Sequence, residues 1–245
     1  MAARCLDWLV AVTLIPVPAL LEAQTQVPVL APLAGAGTMP PNPWHVQGLP
    51  QQSKPLTRFS LADLDGRRVL RVEADKSYGN LVHLLNDTPV STTLAWQWRV
   101  DQPIPAADLR SKAGDDTALK VCVFFDLPLD KIPFNERLLL RLARARTTQL
   151  LPAATVCYVW DNRLPPDTAL PNAFTRRVRY LVLRSGSTPL GQWVSERRDV
   201  AADLVRLFGN ESPQMLPVIG IAIGADADNT QGHSVAYVAD LLLEP

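Results

Sequence analysis

The sequence predicts a mainly β fold, a sandwich or barrel of about ten strands with two inserted helices. Three observations lead there. From residue 56 onward apolar and polar residues alternate with a period of two. Turn-rich segments separate the alternating runs at short intervals. Only two stretches, 135–150 and 199–208, carry the three-to-four spacing of an amphipathic helix.

Residues 1–23 read as a secretory signal: Arg4 supplies the basic start, 9–21 an apolar stretch, and Ala23 a small residue before cleavage. Residues 24–55 hold seven of the 22 prolines and read as an extended linker, with Trp44 and His45 as the place where the chain first docks. The domain is then expected over 56–245. Residues 58–61 and 68–74 flank Asp65-Gly66, a hairpin signal. Residues 81–85 form a short strand. Residues 93–100 alternate cleanly, with Leu94, Trp96, Trp98 and Val100 on one face. Strands follow at 119–125, 156–160, 178–184, 192–198, 217–224 and 235–243. In the first helix, leucines at 138, 139, 142 and 150 share the pattern with arginines at 137, 141, 144 and 146, a basic outer face. The second starts at Asp199, a good N-cap, and stops at Gly209.

The 245 residues include 24 basic and 24 acidic side chains. Losing Arg4, Asp7 and Glu22 with the signal leaves 23 against 22. A chain so balanced has no electrostatic reason to bind nucleic acid or an anionic membrane. After signal removal no run of about 18 uncharged apolar residues remains, so no transmembrane segment is expected. Cys122 and Cys157 lie inside expected strands. In an exported chain they form a disulfide or pack as two buried thiols.

The nucleophile elbow, the phosphate-binding glycine loop and the zinc-protease helix motif are all missing. Only three histidines are present, and His83 alternates with Leu81 and Leu85 as a core residue would. Candidate chemistry therefore rests on carboxylates and tryptophans. Asp226, Asp228 and Asn229 share one polar loop, and the last strand carries Asp240. Their oxygens suit a hard cation such as calcium, although the glycine and glutamate of an EF-hand are absent. The same loop also suits a self-capped turn. Asp115 and Asp116 precede a strand, as paired acids for sugar hydrolysis or as turn caps. Trp160 with Asp161, and Trp193 with Glu196, suit a sugar-binding surface, where a ring stacks and a carboxylate bonds hydroxyls. Arg176-Arg177 and the run 196–199 read as weak surface ion pairs.

The order of these motifs carries a resemblance. Leu94-Ala-Trp96-Gln-Trp98-Arg-Val100 is followed by Ala113-Gly-Asp-Asp116 and Val121-Cys-Val-Phe-Phe-Asp126. Cys157-Tyr-Val-Trp-Asp161, Arg184-Ser-Gly186, Gln192-Trp-Val-Ser-Glu-Arg197 and Asp226-Ala-Asp-Asn-Thr230 complete it. Over 56–243 the chain resembles the bacterial exported proteins of domain-of-unknown-function family 3047. More loosely it is similar to the galactose-binding-like jelly rolls of carbohydrate-binding modules. That resemblance implies a jelly-roll β-sandwich, a structural calcium near the chain ends, and a glycan or polyol ligand in the periplasm or outside the cell. The expectation is an exported binding protein without chemistry. The alternatives are a carboxylate-dependent hydrolase of envelope saccharides, working through Asp115, Asp116 or Glu196, and a structural envelope protein.

Overall fold

In a computed structural model, residues 29–85, 93–186 and 189–244 are described. The signal expected at 1–23 and the start of the proline-rich stretch lie outside them.

Strand β5 (Thr93–Gln102) shows why the chain forms a sandwich. Leu94, Trp96, Trp98 and Val100 are all buried, while the residues between them are half exposed. One apolar face per strand demands a second sheet to cover it. The hairpin β2 (Arg58–Leu64) and β3 (Arg67–Asp75) is closed by Asp65 and Gly66, both with positive φ, the backbone of a tight I′-type turn. With β10 (Val194–Asp199) and β12 (His233–Glu244) these strands build a five-stranded sheet, ordered β10-β5-β12-β3-β2.

The seven-stranded sheet faces it. Its members are β1 (His45–Gln47), β4 (Tyr78–Leu84), β6 (Thr117–Phe125), β7 (Ala154–Trp160), β8 (Ala169–Pro171), β9 (Val178–Arg184) and β11 (Val218–Asp226). The order is β1-β4-β11-β6-β7-β9-β8, antiparallel except between β7 and β9. The chain crosses between sheets from β1 to β2, β3 to β4, β4 to β5, β5 to β6, β9 to β10, β10 to β11 and β11 to β12. The result is the expected jelly-roll sandwich with two inserted helices.

The main core lies between the sheets. A second apolar cluster, with Val82, Leu109, Cys122, Cys157, Val159, Tyr180, Val182 and Ala222, covers the outer face of the seven-stranded sheet. Cys122 and Cys157 face each other across β6 and β7 and form a disulfide. Leu109 reaches this outer face from the loop before β6, so the sheet is sealed on both sides over part of its width.

Helix α1 (Phe134–Arg144) ends earlier than the sequence pattern suggests. Helix α2 (Val200–Phe208) begins as expected: the Asp199 carboxylate accepts from the Ala201 and Ala202 N–H groups. Gly209 closes it for a different reason than expected. Its φ is −56°, and a Cβ there would meet the Val205 carbonyl oxygen at 2.5 Å.

The proline-rich stretch is not a free linker over its described part. Leu30, Leu33 and Trp44 are buried in the core, and Trp44 Nε1 donates to the Ala31 carbonyl. The Ala31 N–H donates to His83 Nε2, and the Leu61 N–H to the Thr38 carbonyl. What composition does not carry is that this strap finds apolar partners.

Candidate functional site

The period-two alternation of β6 sends Leu119, Val121 and Val123 inward and Lys120 outward, into the second cluster's face. A register shift between Gly224 and Asp226 sets Asp226 opposite Thr117 rather than residue 118. Both Ala118 and Leu119 then face the interior. Asp226 is thereby surrounded by donors. Lys120 Nζ donates to Oδ2 at 2.8 Å, the Thr117 N–H to Oδ1 at 2.8 Å, and the Thr117 hydroxyl also to Oδ1. The Lys120 and Asp226 side chains are 6% and 4% exposed. Burial opposes the Lys120 charge, but Asp226 more than offsets this and leaves the ammonium more basic than usual.

Asp115 joins the same cluster from the preceding loop. Its carboxylate accepts from Asn172 Nδ2 and from the Tyr180 hydroxyl at 3.3 Å, and Asn172 also bonds Tyr180 at 2.8 Å. Burial, reinforced by the nearby Asp226 charge, raises Asp115 to about 6. Burial likewise pushes the Tyr180 phenol well above its usual value. At the rim, Asn80 Nδ2 donates to the Tyr78 hydroxyl at 3.1 Å, and Lys120 Nζ lies 5.2 Å from the Tyr78 ring centre. Gly224 leaves room for this convergence: a Cβ there would collide with Asn80 Oδ1 and sit 2.9 Å from Lys120 Cε. Tyr78, Asn80 and Asn172 are half-buried, whereas Asp115, Lys120, Tyr180 and Asp226 are buried beneath them.

Of the ten residues singled out by sequence, Asp115 and Asp226 meet in this cluster. Asp116 lies beside it but points elsewhere. It accepts from the Asn229 N–H, the Thr230 N–H and the Thr230 hydroxyl, and so holds the 226–230 loop in place. Asp228 is raised by burial and then by Asp116 and Asp226. The expected cation set does not assemble. Asp226 is held by Lys120, and Asp240 pairs with Arg67 at 2.9 Å on the outer side of the other sheet. Among the described residues no group of three or more His, Cys, Asp or Glu side chains is placed to hold a metal ion.

The tryptophan platforms are also corrected. Trp160 is only 1% exposed and packs edge-on to Trp98 at 5.6 Å, although it touches the wall of a depression of about 290 Å³ near Pro103 and Asn162. Asp161 is buried and accepts from the Arg163 and Leu164 N–H groups at 2.6 and 2.5 Å, as a turn cap does. Glu196 points inward and accepts from Trp98 Nε1 and Arg184 Nε. Trp193 lies on the opposite, outer face of the five-stranded sheet. Arg67 covers its ring at 4.1 Å, and its Nε1 donates to Asp65.

The expected surface ion pairs are partly buried struts. Arg177 bridges Glu136 and Glu211, and Arg198 binds Asp203, which also accepts from the Tyr158 hydroxyl. A depression of about 470 Å³ lies between the strap and β2, lined by Met39, Val46, Leu56 and Phe59. Neither depression is lined by Asp115, Lys120, Tyr180 or Asp226.

Residues 42–242 match the family described as "Protein of unknown function (DUF3047)". The chain belongs to this family. No curated protein matches it. Among solved structures, this DUF3047 protein is similar to TmCBM61 in complex with β-1,4-galactotriose, at 8% identity and a TM-score of 0.35, covering 82% of this chain and 88% of that one. It is also similar to the xyloglucanase domain of NopAA, a type three effector from Sinorhizobium fredii, in complex with cellobiose (10%, 0.42, 82% and 92%). Trichoderma harzianum endoglucanase 3, from family GH12, gives 10%, 0.40, 83% and 99%. Likenesses this weak carry no argument about the site of the DUF3047 protein.

Sequence reasoning missed Lys120, Tyr180, Tyr78, Asn80 and Asn172. Lys120 left a signal: it is the one charge in 119–125, a run apolar on both faces. The pairing with Asp226, 106 residues away, left none.

The cluster has a pH signature. Asp115 ionises near 3.8 when unfolded and near 6 when folded. The folded state thus holds the proton more tightly. The resulting stabilisation is complete below pH 3.8 and is lost as pH rises through 6. Denaturant midpoints between about pH 4 and 8 are expected to fall less steeply with pH in Asp115→Asn than in the native chain. A carboxyl carbon titrating near 6 by NMR, absent in the variant, checks the assignment; an Asp115 midpoint near 4 contradicts it.

Proposed function

We propose that the chain is an exported protein that binds a glycan or related polyol of the cell envelope, without chemistry, over the rim of Tyr78, Asn80 and Asn172. One observation carries this reading. A charged, hydrogen-bonded cluster sits buried on the outer face of a sheet, where the fold itself requires only apolar cover. Buried charge adds little to stability, and strongly perturbed groups concentrate at functional sites. The rim offers amide and phenol groups of the kind that bond sugar hydroxyls. The Cys122–Cys157 disulfide suits an oxidising compartment and so supports export. N-terminal sequencing of the protein from its host tests that part, with a chain beginning near residue 24 expected and an intact Met1 against it.

Binding is favoured over hydrolysis because neither acid is free. Asp226 is held by Thr117 and Lys120, and Asp115 by Asn172 and Tyr180. The raised Asp115 is the one observation favouring a hydrolase, since it suits a general acid. Both readings meet in one experiment. Envelope oligosaccharides are screened on an array, and the strongest is titrated calorimetrically. Asn80→Ala and Tyr78→Phe are expected to weaken binding about tenfold, by loss of one or two hydrogen bonds, with little change in thermal midpoint. Unchanged affinity in both variants would remove the rim from the proposal. Release of reducing ends, abolished by Asp115→Asn, would replace binding with hydrolysis.

A further inference from the structure

Among the described residues, helix α1 presents an exposed face that its neighbours do not cover. Phe134, Leu138, Leu139 and Leu142 are 72%, 48%, 66% and 50% exposed. At 100° per residue these four fall within one arc of about 140°. The opposite side is spent on the fold: Leu140 is buried, and Glu136 turns inward to pair with Arg177. A contiguous apolar patch of this kind on a helix marks a docking surface.

The charge around the patch indicates what docks. Between residues 130 and 146 there are five basic and two acidic residues, Asp130 and Glu136. Arg137 lies beside the Phe134 ring at 5.7 Å, Arg141 is exposed at one edge of the arc, and Arg146 is exposed just past the helix end. Leucines and a phenylalanine at the tip, with arginines beside them, match an anionic lipid surface, where apolar side chains enter the acyl boundary and cations meet headgroups. The overall charge balance conceals this local excess. No described helix is long and apolar enough to cross a membrane, so the contact lies along the surface.

We infer that α1 is a peripheral docking element for anionic lipid bilayers. The inference does not depend on the sugar-binding proposal. Co-sedimentation of the full chain with vesicles tests it, using phosphatidylcholine alone and a mixture of about three parts phosphatidylcholine to one part phosphatidylglycerol. Binding is expected only to the mixture, and it weakens as salt rises. Leu139→Asp/Leu142→Asp abolishes it. Arg137→Gln/Arg141→Gln weakens it by about fivefold per arginine. All four side chains are substantially exposed or at the helix surface, and unchanged thermal melts confirm that the variants fold. Three results would overturn the inference. One is no sedimentation with either vesicle. Another is equal sedimentation with both, indifferent to the arginines. The third is a solution dimer, seen by analytical ultracentrifugation and lost in the leucine variant, with no vesicle binding.

Discussion

Urea unfolding of Lys120→Met is expected to show a stability loss of about 3–5 kcal/mol. Methionine nearly matches the lysine stem, so the packing term is small. The loss comes from Asp226, whose carboxylate stays buried with only the Thr117 donors left. A single missing partner costs more than the pair was ever worth, because the remaining charge has no water to turn to. The double variant Lys120→Met/Asp226→Asn is therefore expected to recover more than half of the loss. The amide is neutral and can still accept from Thr117. If Lys120→Met loses less than about 1 kcal/mol, the pair is hydrated in solution, and the site loses its central charge.

Trp160→Ala is expected to cost a similar amount, about 3–5 kcal/mol, with the thermal midpoint falling by about 10 °C or more. The ring is enclosed by both sheets and packs on Trp98. Trp193→Ala is the contrasting case. Its ring lies at the surface against Arg67, so a change under about 1 kcal/mol is expected. Differential scanning calorimetry of the two variants separates a core tryptophan from a surface one. Equal melting of Trp160→Ala and the native chain would return Trp160 to the surface.

Much of the fold was legible because it is local. The alternation in 93–100 fixes which face of β5 is buried, and Asp65-Gly66 fixes a turn whose backbone needs positive φ at both positions. The Asp199 cap is local in the same way. Parity also places two of the tryptophans. Trp193 and Glu196 are three residues apart in one extended run, so a period of two sets them on opposite faces. Trp160 continues the inward series of Val156 and Tyr158. The charged cluster was less accessible. Lys120, Asp115, Asn172, Tyr180 and Asp226 come from three separate parts of the chain, and only the order of strands in the sheet brings them together. The helix reads as basic on its outside, but spacing does not tell its exposed leucines from core ones.

The strap over residues 29–47 bears on how the protein behaves in concentrated solution. Strand β2 is the outermost member of the five-stranded sheet, and the strap occupies the Leu61 N–H on its free margin. Strand β1 closes the margin of the other sheet. An open margin invites a neighbouring molecule to add its own strand. The family match begins at residue 42, and the alternating pattern at 56, so a recombinant fragment trimmed at either point retains nearly all its long strands. Trimming at 42 already strips Leu30 and Leu33 from the core and the Thr38 carbonyl from β2. Such a fragment is a template for edge-to-edge strand pairing between molecules, and turbidity or filamentous precipitate is the behaviour to anticipate from it.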